Sequence, residues 1–307
     1  MKLLIQIIAA CIIIMSNLKA QPLILNVWNG KIPGAIESPR FKEDTIKIEN
    51  GKIRISRVIN PTITIYSPDK RISTETAVLI CPGGGYSRLS MDNEGTDIST
   101  WLNKNGITAI ILKYRLPNDT IMVNKSIGPL QDVQEAMRIV RRHASEWNIN
   151  PDKIGIIGFS AGGHLASTLA TRFNEKVYES DTTSSRPSFA ILGYPVITMS
   201  ELNTHTGSRK NLIGKSPDPV MVEYFSNELH VLKNSPPTFI FQSEDDKTVP
   251  VQNSIDYYTA LKNNGVPAEL HIYPKGGHGF GLALNGGTES TWTDSCLKWL
   301  KQIGMIN

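Results

Sequence analysis

Five residues, Gly158-Phe159-Ser160-Ala161-Gly162, constrain the fold of this chain more than any other stretch. They join two segments of different periodicity. Lys153 to Phe159 carries Ile154, Ile156 and Ile157 and reads as a buried strand, whereas Ser160 to Arg172 groups Leu165, Ala166, Leu169 and Ala170 at helical spacing. A strand that turns sharply into a helix at such a serine projects the hydroxyl from the top of a sheet, and glycine at the flanking positions leaves room for the neighbouring backbone. The G-x-S-x-G pattern is weak by itself, because Gly and Ser are common. Its strand-turn-helix setting makes Ser160 a candidate nucleophile.

The surrounding chain repeats that setting. From Ala77 onward strands alternate with helices: Ala77 to Cys81, then a helix over Thr96 to Asn105, a strand over Ile107 to Lys113, and a helix over Leu130 to Trp147. After Arg172 follow strands over Phe189 to Tyr194, Thr238 to Gln242 and Glu269 to Tyr273, with helices over Gln252 to Asn263 and Glu289 to Ile303. Such alternation implies an α/β fold with a mostly parallel sheet covered on both faces. Residues 195–235 interrupt it as an irregular, lid-like insertion. Before Ala77 the chain is β-rich, with short runs over Leu23 to Trp28, Thr45 to Glu49, Ile53 to Val58 and Thr62 to Tyr66 separated by Gly and Pro turns.

Residues 1–20 read as a secretory signal peptide rather than as fold. Lys2 precedes an apolar run from Leu3 to Met15, and small Ala20 stands before Gln21. The run is too short to span a bilayer. Cys11 raises lipoprotein processing as a second possibility, although Ile12-Ile13-Ile14 continues the apolar run past it. The remaining chain of about 287 residues is ordinary for a single α/β domain, so the expectation is one domain over 21–307, secreted or periplasmic, with no membrane association once the signal is removed. A net charge of +4 is modest and scattered. The one tight basic cluster, Arg138, Arg141 and Arg142, lies on an expected helix and reads as a solvated face, so nucleic acid is not implied. Cys81 ends an apolar strand and Cys296 sits on the last helix; both read as buried thiols rather than as a disulfide.

A serine hydroxyl needs a base to take its proton, and the base needs an acid to fix its tautomer. Of six histidines, His143 lies on a charged helix, His271 within a strand and His164 on the helix that follows Ser160, pointing into packing. His278 stands in Gly276-Gly277-His278-Gly279-Phe280, directly after an expected strand, where a glycine loop delivers it to the carboxyl end of the sheet. The chain order Ser, acid, His then places the acid in Glu244-Asp245-Asp246, after the strand that ends at Gln242. Periodicity does not choose among these three. The oxyanion needs N–H donors, one from Ala161 after the nucleophile and others from the loop Pro82-Gly83-Gly84-Gly85-Tyr86.

Asp246-Lys247-Thr248-Val249-Pro250 resembles the acid segment of the α/β-hydrolase superfamily, in which Val-Pro often follows two residues after the acid, and the resemblance selects Asp246. The glycine loop resembles that of hormone-sensitive-lipase-type esterases, with Pro82 in place of their histidine, and by that resemblance Gly84 and Gly85 donate. With Asn93-Glu94-Gly95, Leu112 to Pro117, Gly158 to His164 and Gly276 to Gly281, the chain from about Val78 onward resembles bacterial acetyl xylan esterases and their feruloyl-esterase relatives. Membership implies a serine esterase that removes acyl groups, mostly acetyl, from plant cell-wall polysaccharide, needing no metal or cofactor, with an acylated carbohydrate as partner. Tyr86 and, in the insertion, His205, Ser208 and Arg209 are the candidate substrate contacts. Two rivals remain: a serine peptidase of the prolyl-oligopeptidase sort, for whose propeller the first 75 or so residues are too few, and an inactive binding protein on a hydrolase scaffold.

Overall fold

The computed structural model describes residues 22–47 and 51–307. The segment read as a signal peptide, with Cys11 and Ala20, lies outside the described residues, as does the end of the expected strand over Thr45 to Glu49. In chain order the strands are β1 (Leu23–Asn26), β2 (Asp44–Lys47), β3 (Ile53–Ser56), β4 (Thr62–Tyr66), β5 (Ala77–Cys81), β6 (Arg88–Ser90), β7 (Thr108–Lys113), β8 (Ile154–Phe159), β9 (Ala190–Gly193), β10 (Thr238–Ser243) and β11 (Ala268–Tyr273). The α-helices among the described residues are α1 (Asp97–Lys104), α2 (Gly128–Arg142), α3 (Ala161–Arg172), α4 (Thr206–Ile213), α5 (Pro219–Tyr224), α6 (Gln252–Asn263) and α7 (Trp292–Gln302).

Eight strands form the central sheet in the order β1-β4-β7-β5-β8-β9-β10-β11. From β7 to β11 every neighbouring pair is parallel, while β4 runs antiparallel to β7 and β1 to β4. The central strands β5 and β8 are buried along their whole length, which is why their sequences read as unbroken apolar runs rather than alternating ones. Alternation survives in which face each residue serves. Leu79 and Cys81 pack with Leu130, Val133, Leu165 and Leu261 from α2, α3 and α6, whereas Val78 and Ile80 pack with Ile98 and Leu102 of α1 and Trp292 and Trp299 of α7. Trp292 stacks on Phe241 with ring centroids 4.1 Å apart, closing the second layer. Cys81 and Cys296 are buried free thiols, and burial pushes both pKa values up.

The β-rich start of the chain divides between two sheets. β1 and β4 extend the central sheet, and β2 and β3 join β6, a strand the sequence did not announce, in a separate three-stranded antiparallel sheet. Helix limits move by a few residues. The expected helix over Leu130 to Trp147 ends at Arg142, with turns thereafter, and the expected start at Thr96 is preceded by a π-helical turn over Asp92–Thr96. Among the described residues no helix is long and apolar enough to cross a membrane.

Because β5, β8, β10 and β11 run in one direction, the loops after them emerge at the same end of the sheet. That end carries the glycine loop, Ser160, Asp246 and His278.

Candidate active site

Ser160 sits between β8 and α3 with φ 52° and ψ −120°, a strained conformation for a residue with a side chain. The surroundings hold it: Ser160 N–H donates to Gly193 O at 3.0 Å, and its carbonyl accepts from Val196 and His164 N–H at 3.0 and 3.1 Å. The helix that follows lies so close to β5 that a Cβ on Gly162 would stand 2.0 Å from the Cys81 carbonyl oxygen. Glycine there is a steric requirement.

His278 Nε2 lies 2.9 Å from Ser160 Oγ, and His278 Nδ1 lies 2.7 Å from Asp246 Oδ2. A carboxylate facing Nδ1 fixes the proton on that nitrogen and leaves Nε2 free to accept the serine proton. The Asp246 side chain is fully buried, and every lone-pair direction has a donor. Oδ1 accepts from Thr248 and Val249 N–H at 2.8 and 2.9 Å, while Oδ2 also faces Gln242 Nε2 at 3.2 Å. Gln242 is held in turn by Ser254 Oγ and donates to the Val249 carbonyl. Asp245 takes a different part: its Oδ1 accepts Gly277 N–H at 2.9 Å and so shapes the loop that carries His278.

Facing the serine is the glycine loop after β5. Among the described residues the N–H groups of Gly84 and Gly85 have no partner, and Ala161 N–H, first in its helix, has none within the helix. Gly83 N–H is committed to Glu94 Oε2 at 2.7 Å. Glu94 is a residue whose part sequence reasoning did not assign. Its carboxyl group is buried, and Oε1 accepts from Tyr194 O–H at 3.0 Å, while Tyr194 oxygen accepts Gly281 N–H at 3.1 Å. Burial raises the Glu94 pKa, and the Gly83 and Tyr194 hydrogen bonds oppose the rise. The preceding residue, Asn93, donates from Nδ2 to Gly279 O at 2.9 Å. One short turn therefore fastens both the glycine loop and the histidine loop. Tyr114 O–H adds a bond to Pro82 O at 2.7 Å, and Asn211 Nδ2 one to Gly85 O at 2.7 Å.

These groups open on a cleft of about 570 Å³ whose walls include Ser160, His278, Gly84, Gly85, His205 and Asn211. Of the four candidate substrate contacts, His205 lies in the wall. It caps α4, with Nδ1 accepting from Ser208 N–H and facing Ser208 Oγ at 2.8 Å, and burial is the main cause lowering its pKa. Ser208 is fully buried behind it and holds the ring. Tyr86 is buried with its O–H donating to His164 Nδ1 at 2.8 Å. Arg209 donates from Nε to Met199 O at 2.9 Å and pairs with Glu201 at 3.2 Å. The polar atoms of these three are engaged within the fold, and none of the three is among the residues lining the cleft. No sequence signal separated Ser208 or Arg209 from His205, because residues three and four apart share one helix face and their partners, the His205 ring and the Met199 carbonyl, come from tertiary packing.

The BD-FAE family model matches residues 63–261, well over half of the chain. The chain belongs to the BD-FAE family. The match takes in Ser160 and Asp246, stops before His278 and leaves β1 to β3 outside. An acetylxylan esterase of Xylanibacter ruminicola is 43% identical over 235 residues, covering 74% of this chain and 45% of that protein. Endo-1,4-beta-xylanase B of Butyrivibrio fibrisolvens is 34% identical over 247 residues, covering 80% of this chain and 38% of that protein. The chain thus spans less than half the length of these two curated relatives. Among solved structures it is similar to an acetyl ester-xyloside bifunctional hydrolase from Caldicellulosiruptor lactoaceticus, with a TM-score of 0.81 and 36% identity over 95% of this chain and 100% of that one. The architecture is that of the α/β hydrolases, as the motifs implied.

Proposed function

We propose that this BD-FAE protein is a serine esterase that removes acetyl groups from xylan or its oligosaccharides. The observation that carries the reading is the unbroken chain from Ser160 Oγ through His278 to buried Asp246, at 2.9 and 2.7 Å, beside unpartnered glycine N–H groups. Ser160 attacks the ester carbonyl carbon while His278 Nε2 takes its proton. Charge developing on the carbonyl oxygen is met by the N–H groups of Gly84, Gly85 and Ala161. Collapse expels the sugar hydroxyl, protonated by His278, and leaves an acetyl-Ser160 ester. Water, activated by the same imidazole, then attacks that ester and releases acetate.

The choice of acetylated xylan rests on the names of the similar acetylxylan esterase and xyloside hydrolase. A polar cleft open at the surface suits a saccharide better than a long acyl chain. We propose further that residues 1–20 direct export, that the rest forms one catalytic domain, and that the insertion over 195–235 shapes the sugar side of the cleft through His205 and Asn211. N-terminal sequencing of protein from the native host tests export, with a start near Gln21 expected and an intact Met1 contrary. Acetate release from acetylated xylo-oligosaccharides, compared with hydrolysis of a proline-containing peptide and a methyl ferulate, tests the reaction. Faster cleavage of either comparison substrate would overturn the substrate assignment.

A further inference from the structure

The small sheet of β2, β3 and β6 has no part in the chemistry above, and two of its strands lie outside the BD-FAE match. It nevertheless borders the site. Across the β3–β6 pair Arg54 stands opposite Ser90 and Ser56 opposite Arg88, so Arg54 and Arg88 are diagonal neighbours on one face of the sheet. Lys52 stands immediately before β3, two residues from Arg54. All three line the cleft that contains Ser160 and His278. Arg88 also reaches the glycine loop: Gly84 has φ 132°, and a Cβ on it would meet Arg88 Cγ at 2.9 Å.

The cleft has carboxylates of its own, and both are engaged. Asp92 accepts Ile53 N–H, and Glu94 is buried against Gly83 and Tyr194. Among the described residues no carboxylate lies within ion-pairing distance of Lys52, Arg54 or Arg88. Two arginines lining an open cleft from adjacent strands bring more positive charge than the hydroxyls of a neutral pentose require. Their planar donor forks fit a carboxylate, which accepts two parallel N–H bonds.

We propose that this sheet is a recognition wall for the carboxylate of a hexuronic acid side group carried close to the acetylated sugar, so that the preferred substrate is an acidic, acetylated xylo-oligosaccharide. The inference rests on the proposed deacetylase function. It gives the β-rich start of the chain a part in substrate choice, with Arg54 and Arg88 holding the anion and Lys52 adding field at the rim.

Binding separates this wall from the chemistry. The Ser160→Ala protein is titrated calorimetrically with xylotetraose and with xylotetraose bearing one glucuronic acid, and the titrations are repeated on Ser160→Ala carrying Arg54→Gln and Arg88→Gln. The acidic ligand should bind at least about tenfold more tightly, a preference that shrinks as salt rises to about 0.5 M and vanishes in the double arginine variant. Should that variant fail to unfold cooperatively, the single substitutions are read instead, each expected to lose at least about threefold of the preference. Equal affinity for the two ligands, or a preference that survives loss of the arginines, overturns the proposal. Acetate release by the wild-type chain from the acetylated forms distinguishes the two readings. Equal binding with acetate release removes the wall and leaves the deacetylase, whereas preferential acid binding without acetate release keeps the wall and removes the deacetylase.

Discussion

Asp246 Oδ2 lies 2.7 Å from His278 Nδ1, whereas the adjacent Asp245 turns away and accepts the Gly277 N–H at 2.9 Å. Two neighbouring carboxylates thus do separate jobs, one on the imidazole and one on its loop. An Asn at the orienting position favours the wrong imidazole tautomer, a change worth about 10⁴ in turnover in serine proteases. Asp246→Asn should lower kcat on an acetyl ester by roughly 10²–10⁴ with little change in KM. Asp245→Asn should cost less than about tenfold, since an amide oxygen still accepts the Gly277 N–H. Steady-state kinetics on both variants checks the ranking.

Glu94 gives a second prediction. Its two oxygens accept from Gly83 N–H and Tyr194 O–H, fixing the glycine loop against Ser160 from below. Glutamine keeps one acceptor and brings an NH₂ group that opposes one of those donors. Glu94→Gln should lower kcat by about 10- to 100-fold, because a displaced donor is lost in the transition state more than in substrate binding. Equal losses in a thermal-unfolding comparison would not produce that split between kcat and KM, so both are measured.

His164 contributes to the acid limb of stability. Buried between Tyr86 O–H and the Phe225 carbonyl, each 2.8 Å away, it is neutral, and burial lowers its pKa from 6.5 to about 4. The unfolded chain takes up this proton as pH falls through 6.5, and the folded chain does not until about 4. Stability contributed by the neutral ring is therefore complete above pH 6.5 and is lost progressively down to about 4, a total of roughly 3 kcal/mol. Denaturant unfolding at pH 7.5 and 4.5 should show this loss in the wild type and a flatter dependence in His164→Asn, which starts from a lower stability at pH 7.5.

Gly162→Ala should be inactive and strongly destabilised. The added methyl would stand 2.0 Å from the backbone oxygen of Cys81, and neither β5 nor the start of α3 can give way without moving Ser160. Circular dichroism melts and ester turnover on the same preparation check it. A folded variant with near-normal rates would mean that the close approach of strand and helix is not required.

The parts of this site that chain order and turn chemistry control were legible in the sequence. Ser160 and the glycine loop follow a strand directly and His278 lies in the loop that follows one, so a strand reading places them at one end of the sheet. Asp246 was separable from Asp245 by the Val-Pro that follows, and the structure shows the physical basis: Thr248 and Val249 N–H groups fold back onto Asp246 Oδ1. Long-range pairing was not legible. β6 is three residues long and has a partner only because β3 returns beside it, and Glu94 gains meaning only when Gly83 and Tyr194, 11 and 100 residues away, close around it. That Tyr86, Ser208 and Arg209 turn their polar atoms to partners within the fold was not legible either, because position in sequence does not fix the direction of a side chain.

The most direct test of the account is to trap the covalent intermediate. Wild-type protein is quenched in acid during turnover of acetylated xylo-oligosaccharide and digested, and the peptide containing Ser160 is weighed, with Ser160→Ala assayed in parallel. The account predicts an acetyl group on Ser160 and a loss of at least about 10³-fold in turnover for the variant, with its fold intact. An unmodified Ser160 peptide together with wild-type rates of acetate release from Ser160→Ala would contradict it.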